Sequence, residues 1–160
     1  MAVQLVTLPQ IKINLIYYSG QLSGSDLEDA IDMQGYDAAF DDLIVYAADA
    51  SFAGVDFETA KRQADRLVHD AKQARTGKRR ALVTANAMQG VLGRMFLSFV
   101  RSMAPADFEI ECFDTLATAL AWISSNRTTG PALDRSAVLR ALADLERQSG
   151  AYGPGTASAV

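Results

Sequence analysis

Between Leu43 and Ala48 the chain runs Leu-Ile-Val-Tyr-Ala-Ala without one polar side chain. A strand that shows no alternation of polar and apolar residues has to be covered on both faces. That requirement places a sheet between two layers and makes the segment a central strand. The flanking periods agree. Ile11, Ile13, Leu15 and Tyr17 alternate with Lys12 and Asn14, Ala81 to Ala85 is a further strand, and Phe108, Ile110 and Cys112 alternate with Glu109 and Glu111 as a half-exposed one. Val3 and Leu5, before the turn at Pro9, predict a short strand that forms an N-terminal hairpin with the next.

Helical spacing fills the intervals. Ser25 and Glu28 have the capping-box spacing and open a short acidic helix that Gly35 ends. Asp56 caps a helix whose stripe is Phe57, Ala60, Ala64, Leu67, Val68 and Ala71, ended by Gly77. Asn86 and Gln89 start a third helix, in which Met88, Val91, Leu92, Met95, Phe96, Phe99, Val100 and Met103 keep one apolar row. Asp114 caps a fourth with Leu116, Ala119, Leu120 and Ile123, beside Trp122. After a linker at 126–131, Asp134 caps a last helix with Val138, Leu142 and Leu145 on one side, which reads as an appendage, and 149–160 reads as a disordered tail. Strand, strand, helix and three strand-helix units give a mostly parallel sheet with one antiparallel strand, in one α/β domain.

Composition narrows the function. In 160 residues there is one cysteine, Cys112, and one histidine, His69, so neither an internal disulfide nor a Cys/His zinc site can be assembled. No apolar run reaches the roughly 18 residues of a membrane span, and the first twenty residues lack a secretory pattern, which predicts a cytoplasmic protein. A net charge of -4 argues against nucleic acid as a partner. The charges are also segregated, with ten acids and no base from Ile13 to Ala60, then ten bases against Asp65 and Asp70 from Lys61 to Arg101. Either the two segments neutralise one another, or they form an anion-attracting or self-associating surface and a homodimer.

Gly20-Gln-Leu-Ser-Gly-Ser-Asp-Leu27, Phe52-Ala-Gly-Val-Asp-Phe-Glu58, Glu111-Cys-Phe-Asp114 and Ala119-Leu-Ala-Trp-Ile123 resemble, in their order and spacing, the SpoIIAA-like branch of the STAS superfamily. The resemblance covers 1–125 as a SpoIIAA-like domain, with 126–148 as linker and C-terminal helix outside it. It implies a mixed, mostly parallel sheet with packed helices, no enzymatic activity, no cofactor, and a regulatory role through a protein partner. In the related lipid-transfer branch it implies a small apolar ligand. One departure stands at the switch that the resemblance implies, where anti-anti-sigma factors carry Asp-Ser-Ser-Gly with a phosphorylated first Ser. This chain has Asp56, Phe57, Glu58 and Thr59 there, so Phe57 replaces the acceptor and leaves Ser51 and Thr59 as the nearest hydroxyls.

Catalytic pairings are weak. Cys112 with His69, and the carboxylate pairs Asp41 with Asp42 and Asp26 with Asp29, have the right composition for nucleophilic or acid-base work, but each has a structural use as a buried thiol, helix start or loop. Gly90 and Gly93 fit neither phosphate-binding glycine pattern and read as close-packing positions. Met88, Met95 and Met103 with Phe96 and Phe99 line either the core or an apolar cavity. Ligands of open α/β sheets settle beyond the carboxyl ends of the strands. Among the loops there, that at Asn86 lacks an acid, which makes Asn86, Met88 and Arg94, with Ser51 opposite, the candidate ligand-binding set. The alternative is that these residues only cap helices and close loops.

Overall fold

A computed structural model describes residues 2–73, 78–105, 107–125, 127 and 132–150. Five strands, β1 (Val3–Leu8), β2 (Ile13–Tyr18), β3 (Asp41–Tyr46), β4 (Arg79–Val83) and β5 (Glu109–Phe113), lie in the order β1-β2-β3-β4-β5. β1 is antiparallel to β2, and the other three pairings are parallel. The chain is thus an α/β protein with a mixed sheet whose centre is β3. Its helices are α1 (Gly24–Asp29), α2 (Phe57–Gln73), α3 (Ala87–Met103), α4 (Leu116–Ser125) and α5 (Arg135–Ser149). Among the described residues no helix is long and apolar enough to cross a membrane.

Sheet order decides which face each helix covers. From β2 to β5 the chain always steps to the next strand on the same side. Right-handed crossovers that advance in one direction must all lie on one face. α1, α2 and α3 accordingly pack against Ile16, Tyr18, Leu82, Ile110 and Cys112. That leaves the other face bare until the chain has finished the sheet. α4 and α5 cover it, packing Leu120, Ile123, Val138, Leu142 and Leu145 on Ile13, Leu15, Leu43, Val45 and Ala81. The C-terminal helix is therefore no appendage, because without it β1 and β2 would expose the face that carries Leu15 and Tyr17. It extends through Ser149, with Gly150 in the left-handed conformation at its end. The predicted helix end at Gly77, the predicted linker apart from Arg127, and the tail from 151 onward lie outside the described residues.

Local caps shift two starts. Ser23, rather than Ser25, opens α1, in a capping box with Asp26. Thr115, rather than Asp114, accepts from the Thr118 N–H at the start of α4, while Asp114 is exposed and pairs with Arg94. Asp56, Asn86 and Asp134 cap as the sequence predicts, accepting from Thr59, Gln89 and Ala137 at 2.8, 2.9 and 3.2 Å.

The segregated charges meet within the chain. Asp42 on β3 lies opposite Arg80 on β4 and is buried with it. Its carboxylate accepts from Asn14 at 2.9 Å and Tyr36 at 2.9 Å, and pairs with Lys78 at 3.2 Å and Arg80 at 3.4 Å. Burial pushes the Lys78 ammonium below its usual range, against the attraction of Asp42, and pushes the Tyr36 phenol up. At the same end of the sheet Arg127 holds Asp41 at 3.0 Å, and on the helices Arg66 pairs with Asp32 at 2.5 Å. Neutralisation between the two segments is thus internal at Asp42 and Asp32, while Asp41 takes its cation from beyond the basic segment.

Candidate ligand-binding groove

α3 presents an unexpected face to the sheet. Its buried residues are Gln89, Gly90, Leu97 and Val100, whereas Met88, Val91, Leu92 and Met95 of the predicted core row are exposed, Met88 at 68% and Met95 at 64%. Gly93 explains the choice. A Cβ there would stand 3.2 Å from the Cys112 sulfur, so a side chain at 93 would force that contact to give by a few tenths of an ångström. Positions 90, 93, 97 and 100 share one side of a helix, and that side of small residues, Leu and Val gives the closest approach to the sheet. The bulkier Met and Phe row is left to face α2 and solvent.

α2 does not close over that row. Between the two helices lies a groove of about 430 Å3, floored by Tyr46 and Leu82. Phe57, Ala60 and Lys61 form the α2 wall, and Leu92, Met95, Phe96 and Phe99 form the α3 wall. Spacings of three and four put each set on one helical face. Phe57 reaches across to Phe99, with ring centroids 6.0 Å apart in an edge-to-face arrangement, yet remains 68% exposed. Tyr46 is wedged between Tyr18, stacked at 5.3 Å, and Phe52, edge-on at 5.1 Å, and its burial pushes its phenol well above the usual range.

Polar groups in the lining are few, and most are already engaged. Asp56 accepts from the Thr59 N–H, and this bond holds its carboxyl below the usual range. Gln63 donates to the Leu27 carbonyl at 3.1 Å. Gln89 accepts from the Ala85 N–H at 2.8 Å and donates to the carbonyls of Ala47 and Ala50 at 2.9 and 3.0 Å. These last bonds also stitch the start of α3 to the loop after β3. The space beyond the strand ends, where a ligand was expected, is crossed by the protein's own bonds.

The sequence-derived site residues are placed accordingly. Ser51 accepts from the Ala53 N–H and bridges Gln21, Asn86 caps α3 with its amide 3.5 Å from the Ala48 carbonyl, and Arg94 pairs with Asp114 on the surface. None of Ser51, Asn86, Met88 and Arg94 lines the groove, whereas Asp56 and Phe57 do. Of the two nearest hydroxyls Thr59 is buried and Ser51 is half-buried. Met95, Phe96 and Phe99 line the groove, while Met103 packs into the core. Lys61, Tyr46, Phe52 and Leu92 are among the other lining residues, and the sequence reading of the site did not include them. The available signal was a second apolar row on α3 beside the Gly90, Gly93, Leu97 and Val100 row, since a helix apolar on opposite sides needs a second partner.

Cys112, Asp26, Asp41 and Asp42 of the catalytic pairings each have a structural place. Cys112 is buried and burial raises its thiol, while His69 is exposed on α2. Asp26 belongs to the α1 cap, Asp41 to Arg79 and Arg127, and Asp42 to the buried charge cluster. Among the described residues no three His, Cys, Asp or Glu side chains converge as metal ligands. Comparison with known proteins finds no matching family model, no similar curated protein and no similar solved structure.

Proposed function

We propose that this chain is a non-enzymatic binding module of SpoIIAA-like type, and that it holds a small apolar or amphipathic molecule between α2 and α3. The supporting observation is the 430 Å3 groove, a volume within the range of small-molecule sites, on one face of a sheet whose other face is sealed. Its lining is mostly aliphatic and aromatic, and the Met and Phe side chains adapt to a bound shape. Mass spectrometry of the purified full chain under native conditions, comparing the wild type with Ala60→Trp, tests the reading. Ala60 lines the groove, so the indole fills it. The expected result is a lipid-like adduct, or uptake of added dodecanol, in the wild type and its loss in a variant that melts as cooperatively as the parent. Equal uptake by both, or no uptake of any apolar molecule by the wild type, contradicts the proposal.

A second reading, a regulatory module that docks a protein partner or a second copy, draws on the exposed α3 row of Met88, Val91 and Met95, since contiguous exposed apolar side chains mark interaction surfaces. Sedimentation decides its self-associating form. A concentration-dependent dimer that Met95→Asp dissociates supports it, and a monomer at high micromolar concentration rejects it.

A further inference from the structure

Of the charged and amide side chains of the groove, one has no partner among the described residues, and it is a cation. Asp56, Gln63 and Gln89 are each bound to the backbone as described above. Lys61 lines the same groove without a hydrogen bond or ion pair to any described residue. Its position on α2 is also out of pattern. Phe57, Lys61, Ala64 and Val68 fall on one helical face, of which Ala64 and Val68 are buried in the core. Lys61 thus interrupts the apolar stripe where the helix leaves the sheet and forms the groove wall. Lys61 is exposed there, on the side of α2 that carries the groove rather than on the opposite face. A lysine here lays its methylene stem along the apolar wall and keeps its ammonium at the rim.

Resting on the reading of the groove as a small-molecule site, we infer that its ligand is an apolar chain carrying one anionic group, with the chain against Tyr46, Leu82 and Phe96 and the anion at Lys61. The Asp56 carboxylate also lies in the lining, but it is fixed at the start of α2 by the Thr59 N–H, whereas the lysine a turn further on is uncommitted. Lys61 is exposed, so its attraction for an anion is that of a rim charge, modest and salt-sensitive. The chemistry is shared by a free fatty carboxylate and by a single-chain phosphate monoester.

Calorimetric titration of the full chain with dodecanoate, dodecyl phosphate, dodecanol and dodecylphosphocholine, each below its micelle-forming concentration, tests the inference. Both anions should bind more tightly than dodecanol, by roughly fivefold for one partly exposed ion pair. The stronger of the two identifies the source as carboxylate or phosphate monoester. Lys61→Gln should bind the anions no better than dodecanol, and Lys61→Arg should keep the preference. Equal affinity for anions and dodecanol, a preference that survives in Lys61→Gln, or tightest binding of the zwitterion overturns the inference and leaves the groove reading in place. Binding of none of the four overturns both.

Discussion

The two faces of one sheet are finished differently. Against α4 and α5 the strands present mostly aliphatic side chains with Tyr17, and Ile13, Leu15, Leu43, Ala81, Ile123 and Val138 have no accessible surface, while at the edge Arg79, paired with Glu109, and Phe113 pack on Trp122. Against α1, α2 and α3 the same strands carry a buried charge cluster at one end, an apolar core in the middle and an open groove at the other. Chain order accounts for part of the contrast. The α1–α3 face is built of crossovers whose lengths and ends are fixed by the strands they join. The α4–α5 face is covered by helices added after the sheet is complete, free to settle where their apolar rows fit. A face that fits itself has no reason to hold a ligand, so the unfilled volume lies where the connections are constrained.

The largest effect expected on this contrast comes from the charge cluster. Asp42→Ala strands Lys78 and Arg80 as buried cations without their carboxylate and should cost about 3–5 kcal/mol, read as a lowered urea midpoint. Replacement by a carboxamide recovers the Asn14 hydrogen bond but not the charge, and should fall between. On the sealed face Leu145→Ala removes a fully covered side chain of α5 and should cost about 2–5 kcal/mol by the same measurement. A loss below about 0.5 kcal/mol, the size of ordinary surface changes, would mean that α5 is an appendage after all.

A smaller, pH-dependent effect belongs to both faces. Burial raises Tyr17, under α5, to about 12 and pushes up Tyr46, on the groove floor. A phenol whose folded pKa exceeds its unfolded value of about 10 keeps its proton in the folded chain while the unfolded chain loses it. Stability from these groups is therefore complete below pH about 10 and lost as pH rises through the folded values. Urea midpoints should hold steady up to that point and then fall, and Tyr17→Phe should remove one proton from the slope. A midpoint that rises through this range contradicts the burial described. The smallest expected change in stability is that of Phe57→Ala, within about 0.5 kcal/mol because the ring is mostly exposed, although it should weaken dodecanol binding.

Much of the fold was legible because period and sheet order are local signals. The alternation at Ile13 to Tyr17, the unbroken run after Asp42 and the caps at Asp56, Asn86 and Asp134 each depend on residues within one turn or strand. Which side of α3 faces the sheet was not legible from hydrophobicity alone. The Met and Phe row is the more apolar, but the sheet takes the Gly90, Gly93, Leu97 and Val100 side, whose small residues allow a close approach to Cys112. The candidate groove also differs from the set read from the sequence. Asn86, Ser51 and Arg94 sit near the strand ends as the topology rule expects, but the Gln89 amide fills that crevice with bonds to Ala47 and Ala50, a pairing across more than thirty residues that no spacing announces. Lys61 was visible as a basic residue and became informative only once the groove placed it on the apolar side of α2.

The claim that the α2–α3 face binds a ligand and the α4–α5 face does not is tested most directly by methyl NMR of the full chain labelled at methionine and leucine and titrated with dodecanol. The Met95 and Leu92 methyls should shift and saturate together while those of Leu142 and Leu145 stay fixed. Shifts at Leu142 and Leu145 with Met95 unmoved would contradict it.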